Sequence, residues 1–361
     1  MVVEVAREVA ALRAVPAPFS PPCRLITADA LAKELDRKLR RDLPVPPELF
    51  LEALWRLGLI DETPAVVYPR LLDFYTSQVL GFYEPGGNEL VIVRRGSLAG
   101  SEVRLVWSHE LAHAAQERTS RLPSRLLAMR HDTDEQRAAS AVAEGEAMLV
   151  MTLLSAPGAT RDDLLDLAEA AMAAQAESGL EAPGVPDFFV KDLLFPYTAG
   201  FSAVLRAYRS GGWPAVDRML RRPPASTAAL LHPDRPAPGP PIPDSAMPAV
   251  PAGTEEVIAD ALGEWTLSTW LARRLPAERA AALAAGWDAD RIRLVRARDD
   301  AARWAMAWHV RCRTVSDRQA LETVLQAHLP ALLARLPGAG RRPELVWSGA
   351  GATLDLRVNW P

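Results

Sequence analysis

The 361-residue chain is poor in cysteine, lysine and histidine, and it has no long unbroken hydrophobic run. Its two cysteines, Cys23 and Cys312, lie far apart, and neither has a metal-motif neighbour. That excludes a cysteine-built metal site or a disulfide-stapled scaffold, and reads as two independent buried thiols. Lysine occurs only at 33, 38 and 191, and the many arginines are scattered. With a net charge of −4 and a pI near 6.0, the chain lacks the basic stripe of a general nucleic-acid binder. The arginine, alanine and proline bias reads as the mark of a GC-rich genome. The apolar stretches fall short of a bilayer span, so no transmembrane helix is expected. Residues 1–10 mix apolar and charged side chains and lack the basic start and apolar core of an export signal. As written the chain reads as not exported. A chain trimmed of a leader would look the same, so the compartment stays open.

What is present suffices for a sizeable core, since 49% of the residues are apolar. Helical periodicity covers 2–13, 29–41, 47–57 and 68–79. A strand at 89–93 follows the turn residues Pro85, Gly86, Gly87 and Asn88. Helical patterns resume at 162–178 and 201–209, the latter running into Gly211 and Gly212. Residues 233–251 are dense in proline and read as an extended connection wrapping the surface. Beyond it, 255–272, 277–285 and 316–336 read as helices, and 291–295, 304–312, 345–347 and 353–358 as strands. The expected class is α+β. A predominantly helical core with a small sheet (1–232) is joined by a proline-rich connection (233–253) to a small C-terminal α+β unit (254–361).

Of six histidines, two sit in His109-Glu110-Leu111-Ala112-His113. Imidazoles four residues apart on a helix face the same way and can grip one zinc ion, with the glutamate placed to take a proton from water. Ser101 is a candidate N-cap, and Val103, Val106, Trp107, Leu111, Ala114 and Ala115 supply an apolar surface at helical spacing. A third ligand is needed. The residues after His113 lack the glycine and third histidine of a metzincin, so it must come from farther along. Thr133 and Gln136 form a candidate capping box for a second helix that carries Glu144 and Glu146. Residues two apart on a helix point about 200° apart, so only one can face the metal. Small neighbours, Gly145 above all, would let the helix at Glu144 approach the histidine helix closely. Glu144 is therefore the expected ligand, with His131 as its rival from a loop.

These residues resemble the gluzincin-type zinc metallopeptidases, whose third ligand is a glutamate on a downstream helix. More narrowly, the chain is similar to a group of bacterial proteins with a Gly-Phe-Tyr-Asp/Glu-Pro segment before the zinc helix and Glu-Gly-x-Ala after it. Here these are residues 81–85 and 144–147. Phe195-Pro196-Tyr197 with Gly200, Gly211-Gly212-Trp213, Pro223-Pro224, Ser226-Thr227, Leu231-His232-Pro233, Leu262-Gly263-Glu264 and Gly286-Trp287 extend the likeness over most of the chain. Met148 departs from the thermolysin-like pattern, which places there an aspartate that orients a histidine. The resemblance implies a zincin-like core that hydrolyses a peptide or protein substrate. Zn²⁺ would be held by His109, His113 and Glu144, with Glu110 as general base and Tyr197 or His232 as oxyanion donor. It also implies an edge strand at 90–93 that pairs with substrate, against the plain reading of a core strand. His309 and His328 read as structural. A hydrolase of non-peptide amides and a non-catalytic binding protein that keeps the fold are the alternatives, and the oligomeric state is open.

Overall fold

Apolar residues at three- and four-residue spacing fold most of the first 232 residues into helix around a short sheet. The computed structural model describes residues 2–43, 45–94, 100–129, 132–156, 158–335 and 344–359. In chain order the first part runs α1 (Val2–Arg13), β1 (Cys23–Ile26), α2 (Ala28–Asp42), α3 (Pro47–Arg56), α4 (Pro64–Gln78), β2 (Gly81–Glu84) and β3 (Glu89–Val93). It continues with α5 (Gly100–Ser120), α6 (Leu122–Leu126), α7 (Thr133–Ser155), α8 (Arg161–Ser178), α9 (Asp187–Arg221) and α10 (Thr227–Leu231). Helix α9 breaks direction at Gly211 and Gly212, where Gly212 takes a φ of 59°.

Two sequence expectations fail at helix starts. Helix α5 already includes Gly100, so Ser101 lies inside its first turn. Helix α7 is capped by Asp132, whose side chain accepts from the Glu135 amide. Thr133 instead turns outward to Asp260, its hydroxyl donating to Oδ2 at 2.7 Å. The capping box is lost because a strand from the C-terminal part supplies a charged acceptor that the local sequence does not contain.

The small sheet has the order β1-β3-β2. β3 pairs in parallel with β1 and antiparallel with β2. Residues 90–93 are thus in a central strand, hydrogen-bonded on both sides, and have no free edge for a peptide. All four are buried, which is what an unbroken aliphatic run favours.

Gly145 has the packing reason its mid-helix position called for, but with a different partner. A Cβ built on Gly145 would lie 2.3 Å from the Gly200 carbonyl oxygen, and one on Gly200 would lie 2.0 Å from that of Ala141. The close crossing is α7 against α9, not α7 against the histidine helix. It sets Tyr197, one turn before Gly200, beside Glu144. Gly200→Ala must push the two helices apart. It should lower stability by at least the 1–3 kcal/mol typical of overpacking, read as a lower urea midpoint; an unchanged midpoint would refute the crossing.

The C-terminal part contains β4 (Thr254–Asp260), α11 (Gly263–Leu271), α12 (Ala277–Ala284), β5 (Trp287–Ala297), β6 (Trp304–Cys312), α13 (Val315–Leu332), β7 (Glu344–Ala350) and β8 (Thr353–Asn359). Its antiparallel sheet runs β4-β5-β6-β8-β7. The first half of the helix expected over 255–272 is instead strand β4. Pairing with the distant β5 overrides its local pattern, and Gly263, at φ 74°, starts α11 afresh.

The proline-rich segment is laid along β5 and β6. The Gly239 amide donates to Asp288 at 2.9 Å, Arg311 Nη2 to the Pro240 carbonyl at 2.7 Å, and Ile242 is buried. The two parts share one hydrophobic core, in which Leu51, Leu54, Leu57 and Leu71 pack with Trp270, Ile292, Leu294 and Trp308. Trp270 Nε1 donates to the Leu57 carbonyl at 2.7 Å across this junction.

The fold is α+β, a helical core with small sheets. Helices α7 and α9 are long and apolar enough to cross a membrane by length and composition alone, a property the longest apolar runs did not suggest. In the structure 61% and 50% of their apolar windows are buried against the rest of the protein. The cysteines are both free. Cys312 is buried, and burial pushes its thiol up to about 12, whereas Cys23 is exposed, contrary to the expectation of two buried thiols.

Candidate metal centre

Helical phase alone brings His109 and His113 together on one face of α5, with ring centroids 4.9 Å apart. Helix α7 crosses that face and presents Glu144. His109 Nε2 lies 3.1 Å from Glu144 Oε2 and 3.2 Å from His113 Nε2, and the third side, His113 Nε2 to Glu144 Oε2, is 3.5 Å. Ligands bound tetrahedrally at about 2.0–2.1 Å stand about 3.3 Å from one another. The sides of the triangle match that spacing, and these three residues could hold a metal ion. The histidine side chains are 13% exposed and that of Glu144 21%, which leaves access on one side for water. His131 lies outside the described residues.

Electrostatics tie the cluster together. Burial works against an ionised Glu144, but the His113 charge and hydrogen bonds from both histidines outweigh it and hold the carboxyl well below its usual range. Burial would likewise lower His113, yet Glu144 and Glu110 raise it to about 10. The carboxylate thus favours a protonated imidazole, with which a metal would compete. Glu110 is buried, and that burial pushes its carboxyl up, against the pull of the nearby histidines.

Tyr197 joins the cluster from α9. Its ring stacks near His109, with centroids 6.1 Å apart, and it faces the Glu144 charge. The Glu144 charge first, and burial second, push the phenol well above its ordinary value, so it remains a proton donor. His232 is not brought to the histidine pair. It caps the C-terminal end of α10, with Nε2 2.7 Å from Glu264 Oε1. It belongs to a second buried polar cluster, where Thr227 donates to Asp134 through its backbone and hydroxyl. There Asp290 accepts from the Leu262 and Gly263 amides and from the Trp287 and Trp308 indoles. Several of the segments behind the family resemblance meet here, and they join α7, α10 and α11 to β5. His309 has a structural partner across the sheet, with Nδ1 2.6 Å from Asp355 Oδ1.

The residues that orient the histidines were missed in the sequence. Gln116, buried on α5, donates through Nε2 to the Ala143 carbonyl at 2.8 Å and to Glu146 at 2.6 Å. Both partners are acceptors, so the amide oxygen faces His113 Nδ1, at 3.1 Å. A proton held on Nδ1 leaves Nε2 for a metal. Glu146, fully buried, also accepts from Arg13 at the end of α1, and Arg13 Nη2 donates to Asp217 at 2.6 Å. The glutamate that points away from the histidine pair thus anchors the side chain that faces His113.

Residues 252–355 match the family described as Domain of unknown function (DUF8575), a match that takes in β4 through the first part of β8. No curated protein and no solved structure matches the chain.

Proposed function

We propose that the chain is a zinc-dependent peptidase of gluzincin type. The observation that carries this reading is the triangle of His109 Nε2, His113 Nε2 and Glu144 Oε2, with sides of 3.1 to 3.5 Å, beside a buried glutamate. When bound, zinc would polarise the scissile carbonyl and make water acidic enough to attack at neutral pH. Glu110 takes the proton from the attacking water as the new carbon–oxygen bond forms. It returns that proton to the amine nitrogen as the carbon–nitrogen bond breaks. Its burial supports this role, because a carboxylate that is less willing to stay ionised accepts a proton more readily. Tyr197 holds its proton in contact with the cluster and is the donor to the developing oxyanion. His232, committed to Glu264, has no part in the step.

Metal analysis together with cleavage of a peptide library tests the reading. Protein dialysed against zinc should retain about one ion per chain and should lose cleavage on chelation. Glu144→Ala should release zinc to a competing chelator more readily, by at least the roughly 10–100-fold that loss of an outer partner costs. A wild type that retains no zinc, or equal retention in the variant, would remove the basis of the assignment.

A further inference from the structure

Beside the metal centre lies a cavity of about 500 Å³ with Glu144 and Tyr197 in its wall. From Glu144 it follows one face of α7 past Ser140 and Arg137 to Thr133, a run of roughly 16 Å at the helical rise of about 1.5 Å per residue. Its remaining walls come from both parts of the chain: Leu51, Leu54 and Leu71 from α3 and α4, Phe188 from α9, and Ile292 and Leu294 from β5. These side chains belong to the main hydrophobic core. The core has therefore been built around an elongated apolar space rather than closed over it, whereas protein interiors otherwise pack as densely as organic crystals. The charged side chains that reach the cavity engage one another or their neighbours. Arg137 donates to Asp192 at 2.8 Å and to Thr266 at 3.2 Å, and Asp260 accepts from Thr133. At its Glu144 end the cavity reaches the carboxylate and the Tyr197 ring of the histidine cluster.

We infer that this cavity takes the unbranched aliphatic chain of an amphiphilic substrate whose scissile amide lies at Glu110 and Glu144. The volume favours a chain over an amino-acid side chain. A methylene occupies about the 30 Å³ of a water molecule, so the space holds on the order of a dozen carbons. The inference deepens the hydrolase reading and rests on it for the amide, but the binding of the chain stands apart from the metal.

The test is calorimetric titration of 1-alkanols from hexanol to dodecanol into metal-free and zinc-loaded protein. Kd should fall about fourfold per added methylene in both forms, the factor that corresponds to about 0.8 kcal/mol. Ser140→Phe and, independently, Leu193→Trp, both on cavity walls, should flatten that dependence, with folding checked by circular dichroism. Absence of a chain-length dependence in both metal states, or a dependence unchanged in both folded variants, overturns the inference. Binding of leucyl or phenylalanyl peptide amides in place of alkanols also overturns it, in favour of a side-chain pocket. Failure of the metal reading shows separately, as an inability to retain zinc while the alkanol gradient persists.

Discussion

Glu110→Gln is expected to keep the metal and lose the reaction, with kcat on peptides falling by about 10²–10⁴-fold, the usual contribution of a general base. The amide matches the carboxylate in size and fits the same buried place. It cannot take a proton from water. Glu110 is only 6% exposed, so a neutral replacement relieves a desolvated charge and should leave thermal stability equal or higher. This separates the chemical role from a structural one, because a group needed for the fold would lower stability and activity together. The measurements are zinc content, the melting curve and initial rates on a peptide that the wild type cleaves. Wild-type rates in a zinc-loaded variant would end the general-base assignment, and loss of zinc would turn Glu110 into a ligand.

The parts of the site legible in the sequence are those fixed by one helix at a time. His109 and His113 needed only the helical repeat; the angle between residues two apart showed that only one of Glu144 and Glu146 could face them, and the small neighbours that singled out Glu144 serve the crossing with α9 instead. Both glutamates are drawn inward, on opposite sides of α7: one meets the histidines and the other meets Arg13. What the sequence did not reveal depends on which elements meet. Nothing in residues 89–93 tells a centre strand from an edge until β1 and β2 are in place. Gly145 announced a close approach, but its partner, Gly200, lies on a helix that joins later in the chain. His232 and Tyr197 looked alike as lone polar residues beside proline, and only the α7–α9 crossing separates them. Two signals were nevertheless present. Gln116 is three residues after His113 and so shares its face. Arg13 continues the buried stripe of Val5, Ala6 and Val9 on α1, an apolar position occupied by a charge.

That misplaced charge sets the second large effect. Arg13 is 5% exposed and Glu146 fully buried, with the guanidinium 4.0 Å from the Trp213 ring centre. Arg13→Ala leaves Glu146 as a buried carboxylate without its cation and should cost about 3–5 kcal/mol in urea unfolding, as broken buried pairs do. The companion variant Arg13→Met with Glu146→Leu removes both charges, and most of the stability should return, because apolar replacement of a whole pair is often neutral. Metal binding should not return with it. Gln116 donates to Glu146 and to the Ala143 carbonyl, and with Glu146 gone its amide is held at one point instead of two. Its grip on His113 Nδ1 slackens, and zinc affinity measured by chelator competition should remain about 10–100-fold below wild type. A double variant that recovers stability and affinity together would reduce Arg13 and Glu146 to packing. Recovery of stability alone makes them positioning residues, through which the first helix of the chain acts on the metal centre.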